Sequence, residues 1–189
     1  VRQVRRITGE KKVGHGGTLD PLATGLLIVA LGKATKKLGE LLGSDKEYEV
    51  LACFGGVSDT YDADGRITFS VGKSDSISLE KIEGEIAENF LGDIEQVPPA
   101  YSALKINGKR AYELARKGIQ VELKSRKLRI HSFQLLEYKW PEVSFKIHCS
   151  SGTYIRSLVH DLGQMLGCGA YVQELRRTKI GGYDIENAG

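Results

Sequence analysis

No run of about eighteen apolar residues occurs in this 189-residue chain, and no signal-like segment opens it, so neither membrane insertion nor export is indicated. Cysteine is scarce. Cys53, Cys149 and Cys168 are odd in number, far apart and free of CxxC spacing, which argues against a disulfide framework and a zinc site and fits a reducing cytoplasm. The glycine-rich segment at 14–17 is not followed by Gly-Lys-Ser/Thr, and a strand-like run comes after it rather than before it, so a phosphate-cradling P-loop is excluded. A calcium loop fails in SDTYDADG (58–65), where Thr60 takes the first ligand position and Val71 the closing glutamate position. There is no internal repeat, low-complexity tract or interdomain linker. The length suits one domain with a sizeable core, and residues 1–189 are read as that domain.

Charge is nearly balanced, at a formal net +3, but unevenly laid out. Residues 104–131 carry nine Lys and Arg, among them Lys105, Lys109 and Arg110, against Glu113 and Glu122. Residues 75–95 are acidic, with Lys81 their one Lys or Arg. Such asymmetry fits a nucleic-acid face, although a basic run is also what a plain solvated surface looks like.

The most informative segment is KVGHGGTLDPLAT (12–24). Gly14, Gly16 and Gly17 allow close approach of another molecule, and Pro21 keeps Asp20 out of a helix, which leaves its carboxylate at the tip of a turn. In such a turn an Asp can equally cap its own backbone. The apolar run LLIVAL (26–31) predicts a central strand that anchors the loop.

Elsewhere, residues 1–8 read as the tail of a helix ending at Gly9, and 48–54 as a strand. Asp64-Gly65 marks a hairpin turn with 66–71 as the returning strand. Leu79, Ile82, Ile86 and Phe90 share one helical face. Residues 96–118 hold Pro98-Pro99, an Asn107-Gly108 turn and a short basic helix stopped by Gly118. Val143, Phe145, Ile147 and Cys149 alternate with polar residues, so that strand has one buried face. Thr153 is the predicted N-cap of a helix with the core stripe Ile155, Leu158, Val159, Leu162 and Met165. Strands interleaved with helices, several joined by hairpins, predict α+β with a mostly antiparallel central sheet.

GHGGTLDPLATG is similar to the nucleophile loop of the TruB family of tRNA pseudouridine synthases. DKEYEV, FGGVSDTYDADG, VPPAYSALKINGKRAYELARKG, SGTYIRSLVHDLG and GCGAYVQELRRTKIGGY resemble further segments of that family, in family order and over nearly the whole chain. The resemblance implies the pseudouridine synthase fold, flanking helices, an RNA-gripping insertion at 96–130, and isomerisation of the T-loop uridine (uridine-55) of tRNA. It implies no cofactor, no metal and no guide RNA, a likeness to monomeric stand-alone enzymes, and an upstream strand that this chain lacks. A guide-RNA-dependent relative and an RNA-refolding module are the rival readings.

By the same resemblance Asp20 is the catalytic carboxylate and Arg156 its ionic partner. Tyr48 stacks on the extruded base and takes the C5 proton, and His15 and Leu175 shape the pocket. Burial alone disfavours an ionised Asp20, so a nearby cation is required, and the Arg156 fork is expected to hold it bidentately. No second catalytic carboxylate is convincing: Asp59, Asp62 and Asp64 read as strand end and turn. Arg176, Arg177 and Lys179 are expected to contact phosphates. Gly16 stands where the family has Thr, so a side-chain contact there is lost.

Overall fold

The computed structural model describes residues 1–69, 76–102, 104–106, 108–119 and 123–188, with backbone alone for 105–106. In chain order its elements are α1 (Arg2–Thr8), β1 (Val13–His15), β2 (Thr24–Gly25), β3 (Val29–Leu31), α2 (Leu38–Gly43), β4 (Lys46–Phe54), β5 (Gly56–Ser58) and β6 (Ile67–Phe69). Then come α3 (Leu79–Asn89), β7 (Gly92–Gln96), β8 (Lys105–Ile106), β9 (Lys109–Arg110), α4 (Ala111–Ala115), β10 (Arg126–Lys139), β11 (Glu142–Cys149), α5 (Ile155–Met165), β12 (Ala170–Ile180) and β13 (Tyr183–Asp184).

The fold is α+β. A seven-stranded sheet runs β13-β12-β4-β11-β10-β7, with β2 added to β12. Among the described strands of this sheet the β2–β12 pairing is parallel and the others antiparallel, with a single parallel bridge from Asp62 to Val172 of β12. Period-two alternation explains its sidedness. Val143, Phe145, Ile147 and Cys149 are buried together with Val50, Ala52 and Phe54, while Ser144, Lys146 and His148 point to the other face. On the apolar face α3 supplies Ile82 and Ile86, and α5 supplies Ile155, Leu158, Val159 and Leu162. Each such side chain contributes about 1.5–3 kcal/mol on burial.

Several sequence expectations need correction. The apolar run 26–31 is no central strand: only Val29–Leu31 is extended, and it pairs with β1 in a separate two-stranded sheet. The central place belongs to β4, flanked by β12 and β11. Met165 is 47% exposed rather than core. Thr153 does not cap α5, since its hydroxyl donates to the Ser150 carbonyl. Instead the buried Gln96 side chain reaches the N-cap residue Tyr154, accepting from its N–H at 2.8 Å and donating to its carbonyl at 3.0 Å. Gln96 and 126–130 pair as β7 with β10, so these ends of the basic segment belong to the sheet and any insertion lies between them. Within it β8 pairs with β9 and leads into α4. The Lys105 side chain, Asn107 and Val71 lie outside what is described.

Candidate functional site

The loop carrying Asp20 is fixed from both sides. Ala23 N–H donates to the Asp20 carbonyl at 2.9 Å, closing a turn with Pro21 at its second position. The arm after the turn, β2, lies beside β12 with Arg177 opposite Gly25. A Cβ at Gly25 would stand 2.3 Å from the Arg177 carbonyl oxygen, and its φ is +96°. Only glycine fits so close an approach.

Arg177 is the clamp. It is 2% exposed, and its Nε donates to the Leu26 carbonyl at 2.9 Å, Nη2 to Gly17 at 3.1 Å and Nη1 to Thr18 at 3.4 Å. Leu26 N–H returns a bond to the Arg177 carbonyl. This corrects its assignment as a phosphate contact: the guanidinium is consumed inside the protein, holding both arms of the Asp20 loop to β12. Lys179 is likewise engaged, near Glu47 at 3.6 Å and Asp184 at 3.4 Å.

The Asp20 carboxylate does not cap its own backbone. Its Oδ2 accepts from Arg156 Nε at 2.8 Å, across 136 positions of sequence. Arg156, in the first turn of α5, has a side chain only 4% exposed. Its charge is unfavourable at a helix N-terminus by about half a kcal/mol, and it is surrounded by acceptors. Nη1 donates to the Thr60 carbonyl at 2.8 Å and lies 3.1 Å from Asp62 Oδ2, and Nη2 donates to the Tyr101 carbonyl at 3.1 Å. The fork is therefore shared between two carboxylates rather than bidentate on Asp20.

Asp62 was read from sequence as a turn residue, and it is one: its Oδ1 accepts from Asp64 N–H at 3.2 Å. It is also a buried ion-pair partner, its side chain 5% exposed. Beside it Tyr61 takes φ +65°, strained for a non-glycine residue. Its ring stacks on His160 at 3.8 Å, and its carbonyl accepts from Val172 N–H.

Asp20 stands where two cavities meet. The smaller, about 100 Å³, is lined by Asp20, Tyr48, Ile155, Leu175 and Arg177 among others, a slot of mixed polar and apolar walls on the scale of one pyrimidine ring. The larger, about 710 Å³, adds Asp62, Arg66, Tyr101, Arg110, Tyr112 and Arg116. Tyr48, Leu175 and Arg156 thus converge on Asp20. Burial pushes the Tyr48 phenol up to about 12, outweighing the neighbouring Arg177, which acts the other way.

His15 does not line either cavity. It sits half-buried on β1, with Nδ1 buried and unpartnered among the described residues. Arg110 lines the larger cavity and Lys109 is exposed beside it. Arg176 points away from the slot, into a groove on the opposite face with Glu49, Glu142 and Glu174. At Gly16 a Cβ would meet Leu41 Cβ at 3.1 Å, so α2 packs into the space beside it.

Residues 5–155 match the sequence model described as TruB family pseudouridylate synthase (N terminal domain), and 156–188 that of the tRNA pseudouridylate synthase B C-terminal domain. The two matches meet within α5, and the second includes β12, which pairs with β4 in the same sheet. The chain is 45% identical over 187 residues to tRNA pseudouridine synthase B of Chlamydia abortus, covering 98% of this chain and 78% of that protein. It is 48% identical to the protein of the same name from Vibrio vulnificus, covering 99% and 59%. Among solved structures, a Cbf5-Nop10-Gar1 complex contains a chain similar at TM-score 0.73 and 33% identity, over 97% of this chain and 44% of that one. Sequence and fold agree from one end of the chain to the other, and the chain belongs to the TruB family of pseudouridylate synthases.

Proposed function

We propose that this chain isomerises the T-loop uridine of tRNA (uridine-55) to pseudouridine, acting on the T-arm stem-loop as a cytoplasmic monomer without guide RNA or cofactor. The observation that carries the reading is the Asp20 carboxylate held 2.8 Å from buried Arg156 at the mouth of a slot walled by Tyr48 and Leu175. Among the described residues no helix is long and apolar enough to cross a membrane.

The reaction breaks the bond from ribose C1′ to N1, turns the base, and joins C5 to C1′. The C5 proton departs and N1 gains one. In a closed slot water is kept from the sugar carbon, and a single ionised carboxylate either adds to C1′ or stabilises the charge that develops there. Arg156 holds the Asp20 carboxylate in place through its Nε donor at 2.8 Å. Tyr48 stacks on the base, and because its phenol is raised to about 12 it waits protonated. It can take the C5 proton only as its own passes to solvent, and N1 takes its proton from solvent in turn, so the count closes. The nucleotide must leave the T-loop stack first, at a cost of a few kcal/mol, offset by phosphate contacts from Lys105, Lys109 and Arg110; Arg176, turned to the opposite face, is left out of that set.

The similarity to a chain from a Cbf5-Nop10-Gar1 complex keeps assembly with partner proteins as the second reading. An unmodified T-arm stem-loop incubated with the protein alone, then mapped at single-nucleotide resolution, tests the proposal. One pseudouridine at the T-loop position, lost in Asp20→Asn, is expected. No product until partner proteins or a guide are supplied would overturn it.

A further inference from the structure

Away from the reaction slot, three side chains meet that the isomerisation does not use. Asp45, directly before β4, His131 on β10 and His148 on β11 bring their donor atoms within 4.8 Å of one another. His131 Nε2 is already 3.0 Å from Asp45 Oδ2, and the two imidazole centroids are 4.6 Å apart.

The backbone builds this meeting. Between β10 and β11 the register slips, so that Ile130 faces Cys149 while Ser132 faces His148, leaving His131 as the extra residue of a β-bulge. A bulge re-aims a side chain, and here it delivers His131 to the face that His148 occupies. Asp45 is anchored independently, its carbonyl accepting from Gly181 N–H at 2.8 Å. Two lysines of the neighbouring strands, Lys146 and Lys179, lie 3.3 Å and 3.6 Å from Glu47, which offsets their repulsion of a cation.

We propose that Asp45, His131 and His148 form a zinc-class divalent transition-metal site. Two imidazole nitrogens and one carboxylate are a borderline donor set that suits Zn²⁺ and disfavours Mg²⁺ and Ca²⁺. Around a tetrahedral ion at ~2.0–2.1 Å, ligand atoms stand about 3.4 Å apart, so from within 4.8 Å the widest pair must close by at most about 1.4 Å. His131 is exposed, and its ring has room to turn. Water completes the coordination at so open a site.

The role is structural. His148 opposes Glu47, whereas Tyr48 opposes the buried Ile147, so the ion lies behind the sheet from the slot. There it clips the start of β4 to β10 and β11, close to the residue that stacks on the base.

The test uses tag-free protein stripped with a chelator and titrated with Zn²⁺ by calorimetry, and with Co²⁺ followed by visible absorption. One ion per chain is expected, with a thermal midpoint that rises with Zn²⁺ concentration as ligand linkage requires, and no response to Mg²⁺. His131→Ala and His148→Ala should each weaken binding at least tenfold, and Asp45→Asn less. His131→Gln, at an exposed bulge, serves should His148→Ala fail to fold. His15 and His160 remain in every variant, so equal Zn²⁺ binding by wild type and by the His131 variants would overturn the site. A wild-type protein that takes up no ion would overturn it equally.

Discussion

Arg177→Met separates two readings of the same residue. As a phosphate contact Arg177 would add affinity for RNA and nothing to the fold. As the buried clamp seen here it makes three charge-assisted bonds to the Leu26, Gly17 and Thr18 carbonyls. Hydrogen bonds to charged groups contribute about 1.5–3 kcal/mol each, but the three share one guanidinium and are not additive. Methionine also recovers apolar packing. A net loss of about 2–4 kcal/mol follows, which for a chain of this size lowers the thermal midpoint by roughly 5–15 °C. The freed loop carries Asp20, and a misplacement of about 1 Å costs on the order of a hundredfold in rate. Calorimetric melting, single-turnover isomerisation of a T-arm stem-loop and RNA affinity against salt form the assay. The salt slope should stay at the wild-type value. An unchanged midpoint with a slope flattened by about 0.7–0.9, the signature of one lost phosphate contact, would refute the clamp.

Asp20→Asn should abolish turnover while RNA binding stays within about tenfold, because the amide keeps the shape without the charge; single-turnover activity above about one percent of wild type would remove Asp20 from the chemistry. Neutralising Lys105, Lys109 and Arg110 together should weaken tRNA binding and flatten its salt slope by up to about three units, at ~0.7–0.9 per contact, and an unchanged slope would make that segment an ordinary solvated surface. With the Tyr48 phenol raised to about 12 by burial, its stabilising contribution is complete below the unfolded value near 10 and is lost as pH climbs from about 10 to 12. Burial pushes Tyr171 up to about 12 as well, so ultraviolet titration should show two late-ionising tyrosines, one of which disappears in Tyr48→Phe. Gly16→Thr should cost about 1–3 kcal/mol in denaturant melts, since its Cβ would crowd Leu41 at 3.1 Å.

What the sequence made legible follows from what its patterns encode. Alternation located β11 and its buried face, and the 3.6-residue spacing located α3 and α5, because those periods are properties of single elements. The run at 26–31 misled because apolarity alone does not separate a sheet centre from a short peripheral hairpin lying against a packed loop. Arg177 was nonetheless readable: Leu175 and Arg177 are two apart on a strand and share a face, so an inward Leu175 already implied an inward Arg177 and an outward Arg176.

Asp62 was missed for a different reason. The motif around it was assigned one role, and the residue has two: it closes its own turn, and that turn aims its second oxygen at Arg156, 94 positions along the chain. This second role decides how the site is organised. Three of the four groups on the guanidinium, the Thr60 and Tyr101 carbonyls and Asp62, belong to the scaffold. Arg156 is therefore oriented without help from Asp20. The catalytic candidate is left with one ionic contact through Oδ2, and Oδ1 stays outside the ion pair. A bidentate clamp would have tied up both oxygens and required one to be released before reaction. The shared fork instead fixes the position of the Asp20 carboxylate through Oδ2 while leaving it an oxygen for the sugar carbon.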